Sequence, residues 1–121
     1  STTINYANNI KDKVLSIGEK SIVKASIDKV ENSYLAAAIK DGSKAFLELN
    51  DIDTIGPNIM SYIKKSFYTG KTQTYINLKK TEYNPKKFIS GQDTEIYLND
   101  RKLENTYIDV NLLYKSGPMK K

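Results

Sequence analysis

The sequence predicts a mainly β domain of the α+β class, a five-stranded barrel with one helix between strands 3 and 4 and a short C-terminal helix. Three observations lead to this prediction. The chain has 121 residues and 39% hydrophobic residues, values typical of one folded soluble domain. Short runs with a two-residue apolar period recur along the chain, as in half-buried strands. Two other segments have the three-to-four-residue apolar spacing of helices.

The first three strands are predicted at residues 22–30, 34–40 and 44–52. The first and third runs alternate apolar and polar residues, and the second is continuously apolar, which indicates burial on both faces. Asp41 and Gly42 predict a hairpin turn between the second and third strands, because glycine accepts the positive φ of tight turns. We therefore expect a three-stranded meander.

A helix is predicted to begin at Pro57, since proline fits the first helical turn. Ile59, Ile63 and Phe67 would form its apolar stripe, and Gly70 would end it. Alternation predicts strands 4 and 5 at residues 72–80 and 94–99.

The last helix is predicted from a capping box and a short apolar stripe. Thr106 and Asp109 have the spacing of the capping box, and Gly117 would end the helix. The domain would thus span residues 21–117, preceded by an arm or short helix at 1–20 and followed by a tail at 118–121. We see no internal repeat in the sequence.

Composition excludes several chemistries. The chain has no cysteine and no histidine, which excludes disulfides, thiolate nucleophiles and imidazole ligands or bases. The net charge of +5 favours polyanionic partners such as nucleic acid, anionic lipid or cell-wall polymer. No apolar run is long enough to span a bilayer. The start at Ser1 permits a removed N-terminal signal, and with it a secreted or envelope-associated protein.

The order of three strands, a helix and two strands is that of the oligonucleotide/oligosaccharide-binding barrel, the OB-fold. Several segments also resemble the staphylococcal nuclease (thermonuclease) family of bacterial proteins. Residues 47–54, Leu-Glu-Leu-Asn-Asp-Ile-Asp-Thr, are similar to the family signature Arg-Leu-x-x-Ile-Asp-Thr-Pro-Glu. Weaker similarities to family strands, the helix exit and the last helix occur, in the family's order, at residues 23–28, 63–71, 96–100 and 105–117.

The resemblance implies calcium-assisted phosphodiester hydrolysis by two aspartates, a glutamate and two arginines. Asp53 matches one metal-binding aspartate, but Asn32 stands near the other. Glu48 replaces the first arginine and Gly56 replaces the glutamate. For the second arginine the sequence offers only Lys86 or Lys87.

Glu48 places a negative charge where the family binds phosphate, which opposes catalysis. We therefore expect a degenerate family member that needs no cofactor and does not cleave nucleic acid. The alternative is an active phosphodiesterase with Ca²⁺ held by Asp53 and Asn32. Independently of the resemblance, Glu48, Asp51 and Asp53 could bind a cation, or Asp53 could cap the helix predicted at Pro57.

The predicted function is a binding module for a protein partner or for a polyanion such as nucleic acid. A structural component of an envelope or secretion assembly is a third interpretation. Lysines interleaved with tyrosines are what single-stranded nucleic acid binding requires. The predicted binding residues are Lys64, Lys65, Lys71, Lys79, Lys80, Lys86, Lys87, Arg101, Tyr75 and Tyr97.

Overall fold

The chain winds into a β-solenoid, in which parallel strands of successive coils stack on one another. The computed structural model describes residues 1–65 and 70–121. The first sheet has six strands in the order β1 (Thr2–Asn8), β3 (Ile22–Ser33), β5 (Lys44–Thr54), β7 (Thr72–Leu78), β9 (Thr94–Leu98) and β10 (Arg101–Lys102). The second has the order β2 (Lys13–Ile17), β4 (Leu35–Lys40), β6 (Ile59–Tyr62) and β8 (Phe88–Ser90). A 3-10 turn at Pro85–Lys87 and helix α1 (Val110–Lys115) complete the described elements.

Each coil contributes one strand to each sheet, and its length sets the register. Equivalent residues such as Ser21 and Ser43 are 22 residues apart in the sequence. Across the next pair of coils the separation is 29 residues, as for Asp51 and Lys80. Register partners in both sheets show this longer separation, which exceeds 22 by seven residues. These seven residues therefore lie in the connection between β6 and β7.

The core lies between the two sheets and is built from ladders of equivalent apolar residues. Ala25, Leu47, Ile76 and Leu98 are register partners on successive strands, and each is no more than 4% exposed. Apolar residues stacked in register bury one another on both sides, which is why the alternating strand pattern suits this fold. The opposite sheet presents Ala37 and Ile39, both fully buried, to the same region.

The turn that enters each strand of the first sheet carries a ladder of hydroxyl groups. Ser43 Oγ accepts a hydrogen bond from the backbone N–H of Ser21 (3.1 Å), and Thr72 Oγ1 accepts one from that of Gly42 (2.8 Å). Gly42 has a φ of +78°. This left-handed conformation lets the chain turn from one sheet into the other. The hydroxyls therefore satisfy backbone groups at a corner that strand pairing leaves unsatisfied.

The two ends of the solenoid differ. At the N-terminal end, β1 pairs only with β3, and the apolar side chains of Ile4, Val14 and Leu15 are only partly buried. At the other end, β10 turns back antiparallel to β9. Asn105 Nδ2 then donates to the carbonyl oxygens of Gly91 (2.7 Å) and Thr94 (2.8 Å).

The C-terminal segment covers the outer face of the second sheet. Asp109 is the N-cap of α1, and its carboxylate accepts a hydrogen bond from the N–H of Leu112 (3.1 Å). Ile108 and Met119 are buried against Leu35, Met60 and Tyr62 of the sheet. The short C-terminal helix is thus present, although residues 118–121, predicted as a tail, include a core methionine.

The predicted OB-fold barrel is wrong. The strands expected to form a meander do not pair in sequence order, because β3 pairs with β5 in parallel while β4 belongs to the other sheet. Residues 31–33, which separate the first two predicted strands, continue β3. The physical reason is that a short strand pattern specifies an extended chain but not the direction or identity of its partner.

The helix predicted from Pro57 is also wrong. Residues 59–62 form strand β6, with Ile59 in the core between the sheets and Met60 packed against the C-terminal segment. Both faces of this strand are buried, so apolar residues occur on both of them. In so short a run their spacing resembles that of an apolar helical stripe. Phe67 lies outside the described residues. Residues 1–20, expected as an arm or short helix, contain β1 and β2 instead.

The strands predicted at 72–80 and 94–99 correspond to β7 and β9. Among the described residues, no helix has the length and apolar character needed to cross a membrane.

Candidate functional site

The outer face of the first sheet carries a row of stacked aromatic rings. Phe46, Tyr75 and Tyr97 are register partners on β5, β7 and β9. Their ring centroids are 5.2 Å and 5.0 Å apart, with interplanar angles of 13° and 6°. The parallel register places the side chains one strand spacing apart, and nearly parallel rings at these distances have a favourable stacking geometry.

A polar row runs beside the aromatic one. Thr3, Ser26, Glu48 and Asn77 are register partners on β1, β3, β5 and β7. They lie two residues along each strand from the aromatic row, a spacing of roughly 7 Å on the same face. The two rows line an open depression of about 710 Å³. These seven residues define what we call the ladder groove.

The ladder groove carries charges of both signs. Lys44 Nζ lies 5.5 Å from the ring centroid of Phe46 and 5.7 Å from that of Tyr75, within cation–π range. Glu48 is exposed, and its Oε2 is 3.5 Å from Ser26 Oγ. Asp100 lies at one end. The groove thus offers aromatic surface, hydrogen-bonding groups and no single dominant charge.

A second feature is a group of lysines from four distant parts of the chain. Lys40 is the register partner of Tyr62 on β6, and the charges of Lys13, Lys64 and Lys121 act on it. We call these four lysines the lysine cluster. The Nζ atoms of Lys64 and Lys121 lie 4.5 Å and 5.7 Å from the ring centroid of Tyr114.

Two aspartates and two tyrosines adjoin the lysine cluster. Asp41 Oδ1 accepts hydrogen bonds from the N–H groups of Lys64 and Lys65 (both 2.8 Å), which fixes the chain after β6. Asp12 forms an ion pair with Lys13 (2.6 Å). The hydroxyl oxygens of Tyr62 and Tyr114 are 2.5 Å apart. Burial raises the pKa of both tyrosines, so both hydroxyls keep their protons at neutral pH.

Lys40 is the buried member of the lysine cluster. It is 9% exposed, and its Nζ donates a hydrogen bond to Ser16 Oγ (2.9 Å). Burial lowers the pKa of Lys40, and the charges of Lys13, Lys64 and Lys121 lower it further, against a smaller opposing effect of Asp41. The folded protein therefore holds this proton less tightly than the unfolded chain does.

We predict that Lys40→Met stabilises the protein near neutral pH, on the order of 1 kcal/mol, because it removes a buried charge that other lysines repel. The gain should shrink as the pH rises from the folded pKa of Lys40 toward 10.5, since the unfolded lysine binds more protons over that window and wild-type stability rises. Thermal unfolding of both proteins across this range measures the difference. A difference independent of pH would contradict the assignment.

The residues predicted to hold a metal are only partly brought together. A β-bulge between Val30 and Ser33 places Asn32 next to Asp53 of the neighbouring strand β5. Glu48 instead faces the ladder groove. Within residues 1–65 and 70–121, no group of three or more acidic, histidine or cysteine side chains could hold a metal ion. The absence of a calcium cofactor and the absence of nuclease activity both stay predictions.

Gly56 lies against the ring of Tyr34, and Asp51 lies beside a lysine. A Cβ added at Gly56 would lie 2.7 Å from Cζ and 2.8 Å from Cδ1 of Tyr34, so this position is closed to a larger residue unless the ring moves. Asp51 pairs with Lys80 (2.7 Å), and this hydrogen bond lowers the pKa of Asp51. The acidic cluster proposed from the sequence thus includes a carboxylate that already has a cation partner.

The lysines predicted to track a nucleic acid strand are dispersed. Lys65 pairs with Glu19, and Lys87 Nζ donates to the carbonyl oxygen of Thr54 (2.5 Å). Lys71, Lys79, Lys86 and Arg101 are exposed at other positions. Of the predicted tyrosines, Tyr75 has Phe46 stacked on one side and Tyr97 on the other. The central ring is therefore unsuited to intercalate between bases.

Sequence reasoning missed Phe46, Lys13, Lys40 and Lys121 as site residues. The signal for Phe46 was its place in an alternating strand with Tyr75 and Tyr97 at the same position of two later strands. The lysines gave no such signal, because they meet only when the coils are stacked.

No family model matches the chain, and no curated protein or solved structure shows significant similarity to it. The assignment of function therefore rests on the geometry of the two features.

Proposed function

We propose that the chain is a binding module for an extended, hydroxyl-rich polymer, a polysaccharide, held along the ladder groove. The observation that carries this proposal is the aromatic row of Phe46, Tyr75 and Tyr97 beside a row of hydroxyl, carboxylate and amide groups. A pyranose ring has apolar C–H faces and a rim of hydroxyl groups. Its C–H face can therefore lie across the edges of the stacked rings while its hydroxyl groups reach the polar row.

The sheet itself limits the kinds of ligand that fit the groove. Between paired strands the peptide N–H and C=O groups are used in the ladders, so only side chains are available to a ligand on this face. Glu48 and Asn77 supply acceptors and donors, and both side chains are exposed to solvent water. A ligand with many hydroxyl groups replaces those water contacts without leaving polar groups unpaired.

The repeat of the groove suits a polymer. Adjacent strands are about 4.8 Å apart, so similar pairs of aromatic and polar side chains recur at that interval along the solenoid axis. This interval is close to the length of one sugar unit in an extended chain. A polymer can therefore make a weak contact at each strand, and the binding free energies of these contacts add along one ligand.

The proposal replaces nucleic acid as the preferred ligand of this surface. The carboxylates of Glu48 and Asp100 oppose the attraction of Lys24 and Lys44 for a phosphate backbone, so these side chains together have no net positive charge to hold one. A protein partner remains the alternative, because in the described part of the chain the outer edge of β1 has no strand partner and can accept one. Strand addition at that edge does not use Tyr75 or Tyr97.

The test is native affinity electrophoresis through gels that contain a series of soluble neutral polysaccharides of different linkage. We expect at least one polysaccharide to retard the wild-type protein. Tyr75→Ala combined with Tyr97→Ala should weaken its affinity by about tenfold or more, which corresponds to the loss of roughly 1.4 kcal/mol or more. Glu48→Gln, which keeps the hydrogen-bonding shape, should have a smaller effect.

The matched control is Tyr107→Ala, since Tyr107 is 78% exposed and lies outside the ladder groove. It should migrate like the wild type in every gel. The proposal would be overturned if Tyr107→Ala reduced the retardation as much as the double variant does. It would also be overturned if no polysaccharide retarded the wild-type protein.

A further inference from the structure

We infer that the lysine cluster of Lys13, Lys40, Lys64 and Lys121 binds a tetrahedral oxyanion, a phosphate or sulfate group. This goes beyond the proposed function, because none of the four lysines lines the ladder groove. They come from β2, the end of β4, the segment after β6 and the C-terminal residue. Folding thus brings together four ammonium groups that are far apart in the sequence.

The geometry of the site combines one buried and two exposed ammonium groups without ion-pair partners. Lys64 and Lys121 approach the same ring, that of Tyr114. Lys40 is buried and hydrogen-bonded to a neutral hydroxyl, that of Ser16. Among the described residues, no carboxylate lies within ion-pair distance of these three ammonium groups. A charge buried in this way is costly unless a counter-charge binds.

The charge balance favours an anion. Asp12 and Asp41 are the side-chain carboxylates that act on the cluster and its adjoining tyrosines. Asp12 already pairs with Lys13, and Asp41 Oδ1 already accepts two backbone hydrogen bonds. The four ammonium groups outnumber these two carboxylates, so the site keeps an excess of positive charge. A phosphate group carries roughly 1.5 to 2 negative charges near neutral pH, which complements this excess.

The hydrogen-bonding groups also fit an oxyanion. Each ammonium group has three N–H donors and no acceptor. Within the hydrogen bond between Tyr62 and Tyr114, one hydroxyl donates and the accepting hydroxyl keeps its own proton for another partner. The site therefore presents donors to a ligand that consists of acceptors, and charge-assisted hydrogen bonds of this kind are the stronger ones.

The experiment is isothermal titration of the whole chain with inorganic phosphate, and separately with inorganic sulfate, at constant ionic strength set by chloride. We expect binding of at least one anion to the wild type. Lys64→Gln combined with Lys121→Gln should weaken it by about tenfold or more, because hydrogen bonds from charged donors are lost. Both side chains lie at the surface of the site, and unliganded thermal unfolding checks that this variant folds. If it does not fold, Lys121→Gln alone replaces it.

The matched control is Lys79→Gln combined with Lys86→Gln, which removes the same charge from two exposed lysines outside the cluster. Its affinity should stay within about twofold of wild type, because screened surface charges act weakly at a distance. Equal weakening by the two double variants would overturn the inference in favour of a diffuse positive field.

A third arm distinguishes a free anion from an ester group on a polymer. In this arm the proteins are titrated with dextran sulfate. If dextran sulfate binds, free phosphate and sulfate do not, and the Lys64 and Lys121 variant alone shows a weaker affinity, the result would support the same site for esterified polymers. No binding of any of the three ligands would overturn the inference. The variant with Tyr75→Ala and Tyr97→Ala should bind the anion normally, so that failure of the groove proposal and failure of this one are distinguishable.

Discussion

Leu47→Ala is expected to lower the free energy of unfolding by about 2–5 kcal/mol, the range for a leucine truncated in a close-packed core. Leu47 is 1% exposed and lies between its register partners Ala25 and Ile76. In a solenoid each coil contacts mainly its neighbours. The cavity would therefore remove packing from both adjacent coils, and neither coil can close it without shifting its own ladder.

Chemical denaturation monitored by circular dichroism measures the loss. The matched control is Leu112→Ala in α1, because Leu112 is 58% exposed and its truncation should change stability by no more than about 0.5 kcal/mol. Similar losses for the two variants would contradict the position of Leu47 inside the stacked coils.

The strands were the part of the fold that the sequence could predict. β5, β7 and β9 alternate apolar and polar residues, and that pattern is fixed by one buried and one exposed face. The same pattern occurs in antiparallel barrels and in parallel solenoids. The choice between them depends on which strand lies next to which, and pairing leaves no mark on a single strand.

The repeat that would have revealed the solenoid is short and interrupted. Ser21, Ser43, Thr72 and Thr94 precede equivalent strands, and each hydroxyl is followed by inward apolar or small residues at alternate positions. The interval is 22 residues for the first pair, but the insertion between β6 and β7 lengthens the next one to 29. A search for a constant period therefore fails at the centre of the chain.

The candidate site was predictable only where it follows the strand pattern. Tyr75 and Tyr97 were predicted as binding residues because tyrosines are interleaved with lysines in the sequence, and both line the ladder groove. Their role changed, however, since in-register stacking turned separate aromatic side chains into one continuous row. Lys40 shows the opposite case, because its Nζ meets Ser16, which is 24 residues earlier in the sequence, and no local pattern encodes that contact.

Gly91→Ala is expected to destabilise the protein by about 1–3 kcal/mol, the range for overpacking a well-packed site. An added Cβ would lie 2.7 Å from the carbonyl oxygen of Ser61 and 3.0 Å from Cδ1 of Ile108. The carbonyl belongs to β6 and also accepts the N–H of Gly91 (2.8 Å), so it cannot move away without breaking that hydrogen bond. The substitution thus tests whether the C-terminal segment packs on the second sheet at this position.

The matched control for Gly91→Ala is Gly18→Ala, which adds the same methyl group at another glycine of the solenoid. There the nearest atom to the new Cβ is Cε of Lys40 at 3.5 Å, an ordinary van der Waals contact with the end of a side chain. Gly18→Ala should therefore be neutral or should stabilise by up to about 1 kcal/mol, because alanine reduces the freedom of the unfolded chain. Thermal unfolding compares the two variants. Equal stability of both would mean that Gly91 does not lie between β6 and Ile108, and that the C-terminal segment does not close this end of the solenoid.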